Sequence, residues 1–251
     1  MAPVVNSTQE NTAVNANYLS LAAQMTIVKN FETIADNIAN SSTTGFRASS
    51  TSFGTVVEEL SGRSVRFTTT GQDSFVRTTG ASTSTGNPWD VMVAGDAWLA
   101  IRTPGGIAYT KDGRLKLSEG GEIQTLAGHA ILGPDFTPVA SGQSGIPTIG
   151  RDGAVYQSGQ RTGTIGMFAL PPDAPMQRAP SNGLYSQSAG IPLSDNNAGS
   201  LIQGFLENSN VDAVKELSKM LTTNRSFETI TAAIESMETS RSEAIKTLAP
   251  V

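Results

Sequence analysis

The sequence predicts an α+β fold, with N- and C-terminal helices forming a coiled-coil-like assembly region and a β-rich domain between them. Three observations predict it. All 25 glycines lie between Gly45 and Gly204. Residues 1–44 and 205–251 hold only two prolines, Pro3 and Pro250. Apolar residues recur at helical spacing in both ends and in short strand-like runs in the middle. Glycine and proline disfavour helix interiors, so the ends read as helical and the middle as turn-rich strand. Such ends must pair with each other or with other chains.

Residues 1–15 are rich in Asn, Thr, Ser and Val without a period and read as a disordered arm. From 16 to 40 the apolar residues fall at Leu21, Met25, Val28, Phe31, Ile34 and Ile38, one stripe along a helix. At its end Asn37 and Asn40 can close free backbone groups, Gly45 can reverse the chain and Phe46 can anchor it. Residues 41–85 are Ser/Thr-rich with scattered Phe and Val, and read as an extended linker that packs on its neighbours.

Residues 86–200 form the β-rich domain. Asp90–Ala94 and Trp98–Ile101, either side of Gly95-Asp96, read as one hairpin. Ile107–Thr110 and Leu115–Leu117 read as another, with Asp112-Gly113 in a type I′ turn. Further strand signals run to Leu170, and 171–200 read as an irregular return path. Residues 205–251 complete the helical region, with a helix starting after an N-cap at Asn208 or Ser209. Met220, Phe227 and Ile234 are spaced by seven, and Thr223, Ile230 and Met237 form the matching row. That is an a/d seam for helix–helix packing; an amphipathic helix lying on its own domain is the blander alternative.

Composition narrows the function. The chain carries a formal net charge of −5 with no Lys/Arg cluster, which argues against nucleic acid as a partner. It has no cysteine, hence no disulfide or thiolate chemistry. No apolar run reaches a membrane span, so direct membrane insertion is not expected. Met1–Gln9 lacks the basic and apolar regions of a secretory signal, so any exit from the cytoplasm is expected to bypass the standard cleaved signal.

Catalytic, cofactor-binding and metal-binding sets are expected to be absent, as is any small-molecule substrate. His129 is the only histidine, and the sequence carries no HExxH, CxxC, P-loop or Gly-x-Ser-x-Gly motif. Asp112, Asp135 and Asp152 sit beside Gly or Pro, where turn formation explains them through side chains that bond their own backbone. Trp89 and Trp98 read as core residues ahead of a sugar-binding pair.

Three stretches in order resemble the flagellar rod and hook protein family. The first is Phe31–Asn40 with Gly45-Phe46-Arg47. The second is Asp90–Leu99 followed by Tyr109-Thr110-Lys111-Asp112-Gly113. The third is Gly204–Asp212 with Glu216, Met220 and Arg225–Glu228. The likeness covers about residues 18–248 and departs from the usual pattern at Asp212 and Asn224. Within the family it leans to the proximal-rod members.

The resemblance implies a non-enzymatic subunit of the basal-body rod, the axial drive shaft that carries torque from motor to hook across the periplasm. Its partners would be copies of itself, other rod proteins and the flagellar type III export apparatus. The assembly interface would be Leu21, Met25, Val28, Phe31, Ile34 and Ile38 at one end, and Met220, Phe227, Ile230, Ile234 and Met237 at the other. The rivals are a distal-rod paralogue, a β-rich hydrolase and a coiled-coil binding module.

Overall fold

A computed structural model describes residues 7–60, 63–142, 145–193 and 199–248. The chain divides into two compact units. One comprises 1–38, 51–72 and 213–251; the other comprises 39–50 and 73–212.

The first unit holds two long helices, α1 (Ser7–Ala39) and α2 (Ala213–Leu248), and most of a hairpin made by β1 (Ser49–Leu60) and β2 (Arg63–Phe75). The segment read as a disordered arm, 1–15, is thus helical from Ser7. After Pro3 it contains no helix breaker, so the helix propagates back through Ala13 and Ala16. The segment 41–85, read as an extended linker, is largely paired strand. Its Thr-rich composition suits strands, but its apolar residues do not alternate cleanly enough to announce them. The second helix starts five residues beyond Asn208, with Asp212 at the N-cap position. Ser209 instead closes a local turn, its Oγ accepting from the Val211 amide at 3.2 Å.

On α1, Ile27, Ile34 and Asn37 are buried. The Thr33 and Thr51 hydroxyls lie 2.8 Å apart, and Asn37 donates to Glu216 of α2 at 3.4 Å. The expected stripe is therefore rotated. Ile34 is buried, Phe31 and Ile38 are half-buried, and Leu21, Met25 and Val28 face outward. Ile27, absent from the expected stripe, takes a buried place one heptad before Ile34.

The second unit is all β. Its strands are β3 (Ser82–Ser84), β4 (Val91–Gly95), β5 (Ala97–Thr103), β6 (Gly106–Thr110), β7 (Leu115–Leu117), β8 (Ile123–Thr125), β9 (Ala130–Ile131), β10 (Thr148–Ile149), β11 (Ala154–Gln157), β12 (Gln160–Thr164), β13 (Met167–Ala169), β14 (Met176–Ala179), β15 (Gly183–Ser186), β16 (Ile191–Pro192), β17 (Gly199–Gln203) and β18 (Phe205–Glu207). The main sheet runs β14-β15-β6-β5-β9-β8-β7, with β13 also on β5. A smaller sheet is β10-β11-β12, and β4 pairs with β17 and β3 with β18.

Both expected hairpins are corrected by this topology. β4 does not pair with β5; it pairs with β17, more than a hundred residues on, with Met92 opposite Ile202. β6 does not pair with β7; it pairs with β5 through the turn between Thr103 and Gly106, and with β15. A type I′ turn instead joins β11 to β12 at Ser158-Gly159, where both residues have positive φ. Long-range strand partners leave no local sequence signal, whereas adjacent apolar runs separated by turn residues read as hairpins. The stretch 171–200 is likewise not irregular: it contributes β14, β15, β16 and the start of β17. The β region thus extends from Ser82 to Glu207, beyond 86–200 at both ends.

The core explains the strand choices. Val91, Val93, Leu99, Ile101, Ile123, Ile131, Val155 and Leu201 fill one cluster. Trp98, Tyr109, Leu132, Phe168 and Leu184 fill the other. Alternate residues of β5 thus serve opposite faces of a sheet covered on both sides, which is why Ala97–Ile101 is continuously apolar. Each fully buried Leu, Ile or Phe contributes about 1.5–3 kcal/mol.

Candidate assembly surface and buried clasp

The expected assembly residues divide by exposure. On α2, Met220, Phe227, Ile230 and Ile234 are half-buried at intervals of seven, three and four, while Met237 is exposed. On α1, Leu21, Met25 and Val28 are 48–60% exposed. A second apolar row on α2, Val214, Leu217 and Leu221, is 50–73% exposed. Sequence reading missed it because the heptad rows drew attention to the other face.

The helix-exit residues are placed as follows. Asn40 accepts from the Thr43 amide at 3.0 Å through its carbonyl and from the Thr43 hydroxyl at 3.2 Å through its side chain. Gly45 has φ 68°, and a Cβ there would collide with the Lys111–Asp112 backbone. Its amide donates to the Glu207 carbonyl at 2.7 Å. Phe46 is buried beneath the Arg178 guanidinium, which sits 4.0 Å from its ring centroid.

Around Gly45 the second unit contains a buried clasp that joins distant stretches of chain. Arg47 Nη2 donates to Glu207 Oε1 at 2.7 Å, and both side chains are essentially inaccessible. The same oxygen accepts from the Gly80 amide at 2.8 Å. Lys111, equally buried, has Nζ 3.9 Å from Glu207 Oε2 and donates to the carbonyls of Gly95 and Val93 at 2.6 and 3.2 Å. Both cations lie over the Trp98 ring, with centroid distances of 5.7 Å to Arg47 and 5.6 Å to Lys111.

Asn210 completes the clasp. It accepts from the Ala48 amide at 2.7 Å and donates to the carbonyls of Val76 and Thr78 at 2.8 and 2.9 Å. Arg178 Nη2 caps the Arg47 carbonyl at 2.6 Å.

Two cations face one carboxylate here, so a charge is buried in excess. Burial pushes the Lys111 ammonium down from 10.5 to about 8; Glu207 opposes the shift and Arg47 adds to it. The carbonyls of Val93 and Gly95 and the indole face supply the rest of its solvation. In the sequence, Arg47 and Glu207 are isolated charges and Lys111 sits beside Asp112, patterns that normally mark a solvated face. Only their places inside the three family-like stretches singled them out.

The aspartates read as turn residues bond their own backbone. Asp112, Asp135 and Asp152 each accept from the amide two residues on, at 3.2, 3.4 and 3.1 Å. Asp112 also makes a two-pronged pair with Arg114 at 2.9 and 2.7 Å. His129 is half-buried, and its amide donates to the Thr125 hydroxyl at 3.2 Å. Trp98 lies in the core, and Trp89 packs partly buried against it. Among the described residues no His, Cys, Asp or Glu group could hold a metal ion, and no helix is long and apolar enough to cross a membrane.

Comparison with known proteins matches residues 202–247 to the C-terminal model of flagellar basal body rod FlgEFG proteins. A relative from Mesorhizobium japonicum, flagellar basal-body rod protein FlgF, is 36% identical across 92% of this chain and 96% of its own length. The FlgF protein of Rhizobium meliloti has the same identity and coverage. A rod protein FlgG from Bacillus subtilis is 30% identical across 83% of this chain and 91% of its own.

Proposed function

The chain belongs to the flagellar basal-body rod protein family and is a structural subunit of that rod; from this premise we propose that it occupies the proximal rod and assembles there through its terminal helices. Copies of itself and other rod proteins are the partners, and together they form the shaft that carries torque from motor to hook. The proximal position draws on relatives named FlgF at 36% identity, against 30% for the FlgG relative. The distal rod is the second reading.

One observation carries assembly by the helices. Leu21, Met25, Val28 and Met237 are 48–60% exposed on two long helices. Large apolar residues grouped in that way mark a surface awaiting a protein partner. A helix pair with so little covering surface gains most of its stability on assembly. The unassembled ends thereby suit a subunit delivered unfolded through the flagellar type III export apparatus, and a cysteine-free chain suits the same route. The subunit works without catalysis, cofactor or small-molecule substrate. The turn bonds of Asp112, Asp135 and Asp152 account for the carboxylates a hydrolase would have used.

The test is fractionation of cells carrying a tagged chain. Recovery in purified basal bodies, with gold label at the motor-proximal end of the rod, is the expected result. Label at the hook-proximal end would support the distal reading. A chain found only in the soluble fraction of swimming cells would overturn rod assembly.

A further inference from the structure

We propose that Asn182 is a modification site that the fold keeps shut. In the unfolded chain it loses its side-chain amide and becomes aspartate or isoaspartate; in the folded β unit it does not. This chemistry belongs to the β unit alone and does not depend on the rod-assembly reading.

Asn182-Gly183 is the one Asn-Gly pair in the sequence. In such a pair the Gly183 amide nitrogen can attack Cγ of Asn182. A Cγ–N bond forms, ammonia leaves and a five-membered imide remains. Water then opens the imide at either carbonyl. One opening gives aspartate, and the other gives isoaspartate, whose backbone runs through the side chain. Glycine favours ring closure because no side chain shields its nitrogen and its backbone turns freely.

The fold holds each participant in this reaction. Residues Pro180 to Gly183 close the hairpin between β14 and β15, with Ser181 and Asn182 at φ 58° and 54°. Asparagine tolerates that left-handed conformation better than most residues. The Gly183 amide donates to the Pro180 carbonyl at 3.1 Å, and Gly183 is buried. Asn182 Nδ2 donates to the Thr44 carbonyl at 3.5 Å, and the Ser181 carbonyl accepts from Thr110 Oγ1 at 3.3 Å. The attacking nitrogen and the group it would attack are thus both engaged elsewhere. Ring closure requires the turn to open, so its rate follows the open population.

The product does not fit the turn. Isoaspartate adds a carbon to the backbone of a tight connection, and that connection sets the register of the two strands. In the present register Arg178 lies opposite Leu184. Arg178 also caps the Arg47 carbonyl at 2.6 Å and covers the Phe46 ring. A converted chain therefore refolds with a weaker clasp.

The test incubates the full-length chain at neutral pH in buffer and in guanidinium chloride. Digestion and mass spectrometry locate the amide loss, and enzymatic methylation marks isoaspartate. Conversion at Asn182 should be at least about tenfold faster in denaturant than in buffer. In denaturant it should also outpace Asn40-Ser41 and Asn208-Ser209. Converted chains, separated by their added negative charge and refolded, should melt below unconverted ones. A smaller difference between buffer and denaturant would overturn the guarding role of the turn. A denatured rate at Asn182 no greater than at Asn40 would overturn the choice of site. Unchanged melting of the isoaspartate chain would overturn the account of the register.

Discussion

Arg47 and Glu207 stand 160 residues apart in the chain, yet Arg47 Nη2 donates to Glu207 Oε1 at 2.7 Å. The pair closes the segment leaving the first helix onto the segment that leads to the second. Because the groups are buried, removing Glu207 leaves Arg47 and Lys111 without their carboxylate, whereas removing Arg47 leaves Glu207 facing Lys111 at 3.9 Å. Glu207→Leu should destabilise the β unit by about 3–5 kcal/mol, and Arg47→Leu by less. The double variant should cost clearly less than the sum. Urea unfolding of the four proteins measures the coupling; strictly additive losses would show that the two charges do not depend on each other.

Lys111 gives the β unit a pH signature. Its pKa is lowered to about 8 in the folded protein from 10.5. Between those values the unfolded chain holds more protons than the folded one, so this group's contribution to stability rises with pH. Below about 8 and above about 10.5 it is flat. The wild type should therefore gain on a Lys111→Met variant as pH is raised from 8 to 10.5. Parallel stability curves for the two proteins would rule out a neutralising buried lysine.

Gly45→Ala should unfold the clasp more readily. The left-handed conformation at φ 68° costs a side-chain-bearing residue roughly 1–2 kcal/mol. The new Cβ would also press on the Lys111–Asp112 backbone, which has no flexible end to yield. The denaturation midpoint of the β unit should fall, and an unchanged midpoint would mean that the turn has another conformation.

How much of this was legible in the sequence depended on how local each signal is. The two helices were legible because helix is written in neighbouring residues: Phe31, Ile34 and Ile38, or Phe227, Ile230 and Ile234, declare one face within two turns. Their ends were less so, since α1 continues back to Ser7 through residues with no marked period. The β pairings were not legible, because Val93 finds Leu201 and Tyr109 finds Leu184 across long stretches of chain. The clasp was hidden for the same reason. A lone Arg47 or Glu207 looks like a surface charge until its partner is brought to it. On the assembly surface, Leu21 and Met25 were named from spacing alone, but Val214, Leu217 and Leu221 became visible only through their exposure.

On the proposed reading the terminal helices carry assembly while the β unit folds by itself. Phe227 is half-buried on α2, outside the β unit. The most direct measurement compares Phe227→Asp with wild type in purified basal bodies and in thermal melting of the β unit. The expected result is a chain that is missing from basal bodies, cells that do not swim, and an unchanged β-unit melting temperature. A Phe227→Asp chain present in basal bodies at wild-type amounts, in swimming cells, would contradict it.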